Sequence, residues 1–132
     1  MSQPSRALEG IPVLVVEDHP ASARMLAALL GAAGAVVKTA DSAEAALVAL
    51  LDFRPRLLLV DLVLPGDSGI GLVIQLKADP KTQGIVCIAM TVVNGPELAR
   101  AAKDAGCVAY IRKPFDTDTL AASLAKHLEG MK

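Results

Sequence analysis

Five polar residues follow apolar runs of the kind that form β-strands: Glu17, Asp18, Asp61, Thr91 and Lys113. The clearest case is Asp61, which closes the run Leu57-Leu58-Leu59-Val60 and precedes a turn containing Pro65-Gly66. Four apolar residues in a row indicate a buried parallel strand. An ionised carboxylate at its end is costly unless a cation lies beside it. We therefore expect Asp61 to be neutralised by other members of the set.

The set has the composition of a phosphoryl site. Three carboxylates at one point repel one another unless a hard cation shares them, and Mg²⁺ prefers oxygen ligands. Lys113 adds a positive charge and Thr91 a hydroxyl donor. A metal, an ammonium and a hydroxyl around one carboxylate can receive a transferring phosphoryl group. Asp61 is then the nucleophile and forms an acyl phosphate.

Alternating elements position these residues. Strands are predicted at Ile11–Val16, Ala35–Thr39, Arg56–Val60, Ile85–Met90 and Val108–Ile111, and a helix follows each of them. The second helix is expected to begin at Asp41, which with Glu44 resembles a capping box, and to run to about Phe53. Such alternation indicates an α/β fold whose parallel sheet is covered on both faces. Ligands bind at the carboxyl ends of such strands, where all five residues fall.

Length and composition constrain the number of domains, the core and the classes of partner. The 132 residues predict one domain, with a flexible leader at 1–10 and the folded domain at 11–129. The hydrophobic fraction is 53% with only three aromatic residues, so the core must be aliphatic. The net charge of −1 gives no electrostatic case for nucleic acid or an acidic membrane surface. We expect no membrane span and no signal peptide, and a cytoplasmic protein whose Cys87 and Cys107 are buried free thiols.

The motifs resemble those of the response-regulator receiver domains of two-component signalling from Ile11 to Leu128. The matching segments are Val15-Val16-Glu17-Asp18, Val60-Asp61-Leu62-Val63-Leu64-Pro65-Gly66 with Gly69, Met90-Thr91 and Lys113-Pro114-Phe115. The resemblance implies a flavodoxin-like (βα)5 doubly wound fold with a five-stranded parallel sheet of order 2-1-3-4-5.

The resemblance also implies roles for individual residues. Asp61 would be phosphorylated from a phosphohistidine of a sensor histidine kinase or a histidine phosphotransfer protein. Mg²⁺ would be held by Asp18, Asp61 and the Val63 carbonyl, with Glu17 assisting. Thr91 and Lys113 would contact the phosphoryl oxygens, the Lys113–Pro114 bond would be cis, and Thr91 would switch together with Tyr110. The alternative for Tyr110 is that it is only a half-buried aromatic residue of a strand, without a switching role.

Other functions are weighed against this one. A flavodoxin-like cofactor binder needs a phosphate loop after strand one, where this chain has two acids. An aspartyl phosphohydrolase carries a second acid two residues after its nucleophile, where this chain has Val63. The strongest alternative is an adaptor that docks independently of phosphorylation.

The start methionine and the short tail favour a stand-alone regulator that works by docking, and the alternative is a receiver module of a larger hybrid kinase or regulator. We expect a phosphoacceptor regulatory domain that promotes its own phosphorylation and dephosphorylation, and not an enzyme. A homodimer through the helix 4–strand 5–helix 5 face is a further expectation. The apolar outer face of helix one, which includes Met25, suggests docking of a helical histidine-bearing partner.

Overall fold

A five-stranded parallel sheet forms the centre of the protein, in the order β2-β1-β3-β4-β5. The computed structural model describes residues 6–64, 69–92 and 95–129. The strands are β1 Pro12–Val16, β2 Val36–Ala40, β3 Leu57–Asp61, β4 Val86–Thr91 and β5 Cys107–Arg112. The helices are α1 Pro20–Ala32, α2 Ala43–Ala49, α3 Gly69–Ala78, α4 Pro96–Ala105 and α5 Leu120–Glu129. The fold and strand order predicted from the sequence are confirmed.

The central strand β3 is buried along its whole length, as its uninterrupted apolar run predicts. It pairs in parallel with β1 on one side and with β4 on the other. Its side chains alternate between two core clusters, because successive residues of a strand point to opposite faces. Leu58 and Val60 belong to one cluster, and Leu57 and Leu59 belong to the other.

Helices cover both faces of the sheet. Leu26 of α1 and Leu124 of α5 pack in the cluster that contains Leu57. Ala46 of α2, Leu72 of α3 and Ala102 of α4 pack in the cluster that contains Leu58. This division is the doubly wound arrangement, which leaves the carboxyl edge of the sheet uncovered for a site.

The segment before β1 is packed onto the domain from Leu8 onward. The Leu8 side chain is fully buried, and its N–H donates to the Ala33 carbonyl at 3.0 Å. Gly34 ends the α1 turn in the left-handed region, at φ +96°, and a Cβ there would lie 2.7 Å from the Glu9 Cα. Leu8 and Glu9, which lie within the leader expected at residues 1–10, thus contact the folded domain. Residues 1–5 lie outside the described residues.

The start and end of α2 differ from the expectation. Ser42, with φ at −158°, is the N-cap, and its Oγ accepts from the Ala45 N–H at 3.0 Å. Asp41 was therefore the wrong cap, because the helix begins one residue later, at Ala43, and Ser42 holds the capping position. The helix ends at Ala49 rather than near Phe53, since the chain then turns toward Pro55.

Two further expectations concern thiols and membranes. Cys87 and Cys107 are free and buried, as predicted. Among the helices of the described residues, none has the length and apolarity needed to cross a bilayer.

Candidate functional site

The candidate site lies at the carboxyl edge of the sheet. Glu17 follows the last residue of β1, Asp61 and Thr91 are the last residues of β3 and β4, and Lys113 follows β5. The strands are parallel and paired in register, so their ends align. The side chains of Glu17, Asp61 and Lys113 meet there, as the topology predicts.

Lys113 is the centre of these contacts. Its Nζ donates to Glu17 Oε2 at 2.7 Å and to Asp61 Oδ2 at 2.9 Å. The three side chains are only 14%, 2% and 11% exposed, respectively. One ammonium group thus contacts two carboxylates, at the ends of the neighbouring strands β1 and β3, and offsets one of their two negative charges.

The backbone fixes the second oxygen of Asp61. Asp61 Oδ1 accepts from the Val63 N–H at 2.9 Å, so both carboxylate oxygens have a donor. The Leu62 N–H donates to the Met90 carbonyl at 3.0 Å and holds the loop against β4. Asp61 is therefore oriented from two directions before any ligand binds.

Gly69, the first residue of α3, packs against the same loop. A Cβ at this position would overlap the Asp61 carbonyl oxygen and would lie 3.0 Å from the Leu62 Cα. The Gly69 N–H also donates to the Leu62 carbonyl at 3.2 Å. The sequence motif includes Gly69, but the motif alone does not reveal this close packing. The signal in the sequence was a poor helix former at the start of a helix, which often marks close backbone packing.

Glu17, Asp18 and Asp61 form a cluster that could hold a metal ion. One carboxylate oxygen from each lies within 4.8 Å of the others. Glu17 and Asp61 are buried and Asp18 is exposed, so the cluster opens to solvent on one side. Three carboxylates and the Lys113 ammonium carry a formal charge of −2. An all-oxygen donor set with this charge suits a hard divalent cation such as Mg²⁺.

Burial raises the pKa of Glu17, and the neighbouring Asp61 carboxylate adds to the rise, while the hydrogen bond from Lys113 opposes it. For Lys113, burial alone would lower the pKa. The hydrogen bonds to Glu17 and Asp61 together outweigh burial and leave the pKa raised. Lys113 therefore stays charged at neutral pH and offsets part of the negative charge of the cluster.

Thr91 and Tyr110 lie on the neighbouring strands β4 and β5. Thr91 is fully buried, and its carbonyl accepts from the Lys113 N–H at 2.8 Å. Tyr110 is half-buried, pairs with Ala89 across the two strands and packs against the core cluster that contains Leu58. The Lys113–Pro114 peptide bond is cis.

An apolar groove of about 370 Å³ adjoins Lys113. It is lined by Ser22, Met25, Leu26, Val92, Lys113, Pro114, Phe115 and Thr117. Met25 and Val92 are 45% and 70% exposed, so the groove presents large apolar side chains to solvent beside the charged cluster. It runs between α1 and the loop after β5.

Comparison with known proteins identifies the family. The family model for the response regulator receiver domain matches residues 13–125. The chain belongs to this family, whose members are regulatory phosphoacceptor domains of two-component systems.

Relatives and solved structures agree with the family. The chain is 34% identical over 115 residues to the phosphate regulon transcriptional regulatory protein PhoB of Pseudomonas aeruginosa, covering 87% of this chain and 50% of that protein. It thus spans about half the length of this relative. The receiver domain of a signal transduction histidine kinase from Syntrophus aciditrophicus is 28% identical, with a TM-score of 0.84 and 93% of each chain covered. The chemotaxis response regulator CheY4 of Vibrio cholerae is 25% identical, with a TM-score of 0.84, covering 90% of this chain and 99% of that chain.

Proposed function

We propose that this domain receives a phosphoryl group on Asp61 from a phosphohistidine of a sensor histidine kinase or a histidine phosphotransfer protein. The observation that supports this most is the buried contact of Lys113 with Asp61 and Glu17 at the carboxyl edge of the sheet. A carboxylate oriented by a backbone N–H and a lysine is held ready as a nucleophile.

In the proposed reaction, an Asp61 oxygen bonds to phosphorus as the bond from phosphorus to the donor histidine nitrogen breaks. The bonding electron pair returns to the imidazole, and the product is an acyl phosphate on Asp61. Lys113 supplies a positive charge for the phosphoryl oxygens. Thr91 contributes a hydroxyl from the end of the adjacent strand β4. Both residues act by position and charge, which is where most catalysis of phosphoryl transfer originates.

Mg²⁺ fits the donor set, and Asp18, Asp61 and the Val63 carbonyl would hold it with Glu17 assisting. When bound, the ion neutralises charge on the carboxylates and on the phosphoryl oxygens. The exposed Asp18 gives the cluster its opening to solvent. In the protein without metal, Lys113 offsets one of the two charges of the buried carboxylates Glu17 and Asp61.

Phosphorylation would be read out through Thr91 and Tyr110. A new anion at Asp61 attracts the Thr91 hydroxyl, and this movement opens space toward β5 for the Tyr110 ring. The half-buried position of Tyr110 is compatible with two ring placements. Such a change alters the surface formed by α4, β5 and α5, where a downstream protein or a second copy of the domain would bind.

The phosphodonor would dock on α1. Met25 and Leu26 line the apolar groove that reaches Lys113, so a helix seated there brings its histidine to the site. This is the helix-in-groove mode of recognition. We assign the protein to the cytoplasm, where such kinases present their phosphohistidine, and we assign no nucleic-acid contact to this domain.

The test is incubation of the purified protein with acetyl phosphate, with and without Mg²⁺, followed by intact-mass measurement. The proposal predicts the addition of one phosphoryl group that requires Mg²⁺. Asp18→Asn should raise the Mg²⁺ concentration needed for half-maximal phosphorylation, while Glu44→Gln, a change to an exposed acid on α2, serves as the matched control. Absence of any phosphoryl addition would favour an adaptor that docks independently of phosphorylation.

A further inference from the structure

A second candidate binding surface lies at the opposite edge of the sheet from Asp61. Two cavities of about 220 and 320 Å³ adjoin there, between the chain after α2 and the chain after α3. They share Leu50, Arg54, Lys81 and Thr82, so they form one continuous depression, which we name the α2–α3 groove. Arg56 and Val86, at the starts of β3 and β4, line its inner end.

The floor of the α2–α3 groove is apolar. Leu47, Leu50 and Leu76 line it between the two helices. Leu51, which also lines it, is 81% exposed, and the nearby residue Val48 is 61% exposed. Large apolar side chains that are more than half exposed beside a concave surface are typical of sites that bind another protein.

The rim of the groove is positively charged. Arg54, Arg56 and Lys81 are all exposed, and within the described ranges none of these side chains has an ion-pair partner. Among the described residues that line the groove, Asp79 is the one carboxylate, and its Oδ1 accepts from the backbone N–H of Lys81 at 2.9 Å. Three cations against one acid leave the rim with a formal charge of +2.

The backbone that carries these cations is held in place. Thr82 Oγ1 donates to the Leu76 carbonyl at 2.7 Å, and the Gln83 N–H donates to the Asp79 carbonyl at 2.8 Å. The Arg56 N–H donates to the Pro12 carbonyl at 2.9 Å, and the Arg56 carbonyl accepts from the Val86 N–H at 2.9 Å. A partner would therefore meet a largely preformed site, which reduces the ordering cost of binding.

We propose that the α2–α3 groove binds an acidic segment of a partner protein whose apolar side chains enter the floor while its carboxylates meet Arg54, Arg56 and Lys81. Charge complementarity selects this occupant, because three cations without ion-pair partners among the described residues surround an apolar floor. A small anion would use the cations only and would leave the apolar side chain of Leu51 exposed.

The groove and Asp61 lie at opposite ends of the sheet, so this docking and phosphorylation do not compete for space. The inference is independent of the proposed phosphoacceptor function, and Asp61→Asn should leave binding at the groove unchanged. The domain could then be tethered to one protein through the groove while a different protein reaches Asp61.

The test is selection of phage-displayed random peptides on the immobilised wild-type protein, followed by affinity measurement with the enriched peptides. The proposal predicts peptides that combine Asp or Glu with Leu, Ile or Phe. Arg54→Glu/Lys81→Glu should weaken their binding at least about tenfold, and raising the salt concentration should weaken the wild-type binding as well. Lys126→Glu, an exposed change on α5 across the sheet, is the matched control and should bind like wild type.

Circular dichroism first verifies that both variants fold, which is expected because the exchanged side chains form no ion pair within the described residues. Enrichment without acidic residues, or binding that the double variant leaves intact, would overturn the proposal. A wild-type dimer that Arg54→Glu/Lys81→Glu converts to a monomer in sedimentation velocity would instead assign the groove to a second copy. Saturable binding of pyrophosphate there, without any enriched peptide, would assign it to a small anion.

Discussion

Replacing Gly69 with alanine tests how closely α3 is packed against the phosphoacceptor loop. The added Cβ would overlap the Asp61 carbonyl oxygen and lie 3.0 Å from the Leu62 Cα. Both neighbours are backbone atoms, so the overlap is relieved only by moving the start of α3 or the loop itself. The clash therefore acts directly on the segment that orients the Asp61 carboxylate.

The magnitude follows from two opposing effects. Forcing extra atoms into a packed site costs roughly 1–3 kcal/mol. Replacing glycine within a helix by alanine gains roughly 0.5–1 kcal/mol. The net expectation for Gly69→Ala is a loss of between about 0 and 2.5 kcal/mol in the free energy of unfolding. Displacement of Asp61 should also slow its phosphorylation about tenfold or more, since misplacement by a fraction of an ångström is costly to reaction.

The chain offers a matched control in Gly31, which lies in α1, where an added Cβ would meet no atom within 4 Å. Gly31→Ala should stabilise the protein by roughly 0.5 kcal/mol. Urea unfolding of both variants gives the free energies, and acetyl phosphate with Mg²⁺ gives the phosphorylation rates. If Gly69→Ala is as stable as Gly31→Ala and is phosphorylated at the wild-type rate, the close approach of Gly69 to Asp61 does not constrain the loop.

Three further predictions concern docking, lifetime and pH. Met25→Glu places a charge in the groove beside Lys113 and should slow phosphoryl transfer from a cognate kinase but not from acetyl phosphate; equal slowing with both donors would indicate damage to the site. The phosphorylated state should decay slowly, because the apolar side chains of Val63 and Val93 cannot hold an attacking water by a hydrogen bond; Val63 is 57% exposed, and Val93 lies outside the described residues. Val63→Asn/Val93→Glu should therefore speed loss of the phosphoryl group in Mg²⁺ about tenfold to a hundredfold. An unchanged rate of decay would refute this cause. Burial raises the pKa of Cys87 to about 11 and that of Cys107 to about 12, from an ordinary value of 9.0. As the pH rises above 9.0, the unfolded chain therefore loses these thiol protons before the folded chain does, and the free energy of unfolding should fall. The free energy of unfolding falls by up to about 1.4 kcal/mol per pH unit for each thiol. Urea unfolding at about pH 8 to 10 should show a weaker pH dependence of this free energy for Cys87→Ala/Cys107→Ala than for the wild type. Parallel pH profiles of the two proteins would contradict the prediction.

The sequence predicted the sheet and the meeting of the charged residues because both follow from local rules. An apolar run predicts a strand, alternation with helices predicts a parallel sheet, and aligned strand ends bring Glu17, Asp61 and Lys113 together. The contact of Lys113 with both carboxylates follows from that topology.

The features that the sequence did not predict depend on distances across the chain. The close approach of Gly69 to the Asp61 carbonyl depends on how the start of α3 packs against the loop after β3. The choice of Ser42 over Asp41 as cap depends on which residue takes the extended backbone conformation. The burial of Leu8 depends on a long-range pairing with Ala33. The cations of the α2–α3 groove come from two separate loops, and none of them stands out in the sequence alone.

The most direct test of the central claim is to locate the phosphoryl group. The protein is incubated with acetyl phosphate and Mg²⁺, the acyl phosphate is reduced with borohydride, and the modified residue is identified by peptide mass spectrometry. The account predicts homoserine at position 61 in the wild type and no modification in Asp61→Asn, which should remain folded. Modification at Glu17, Asp18 or His19, or phosphorylation of the Asp61→Asn protein, would contradict the assignment of Asp61 as the phosphoacceptor.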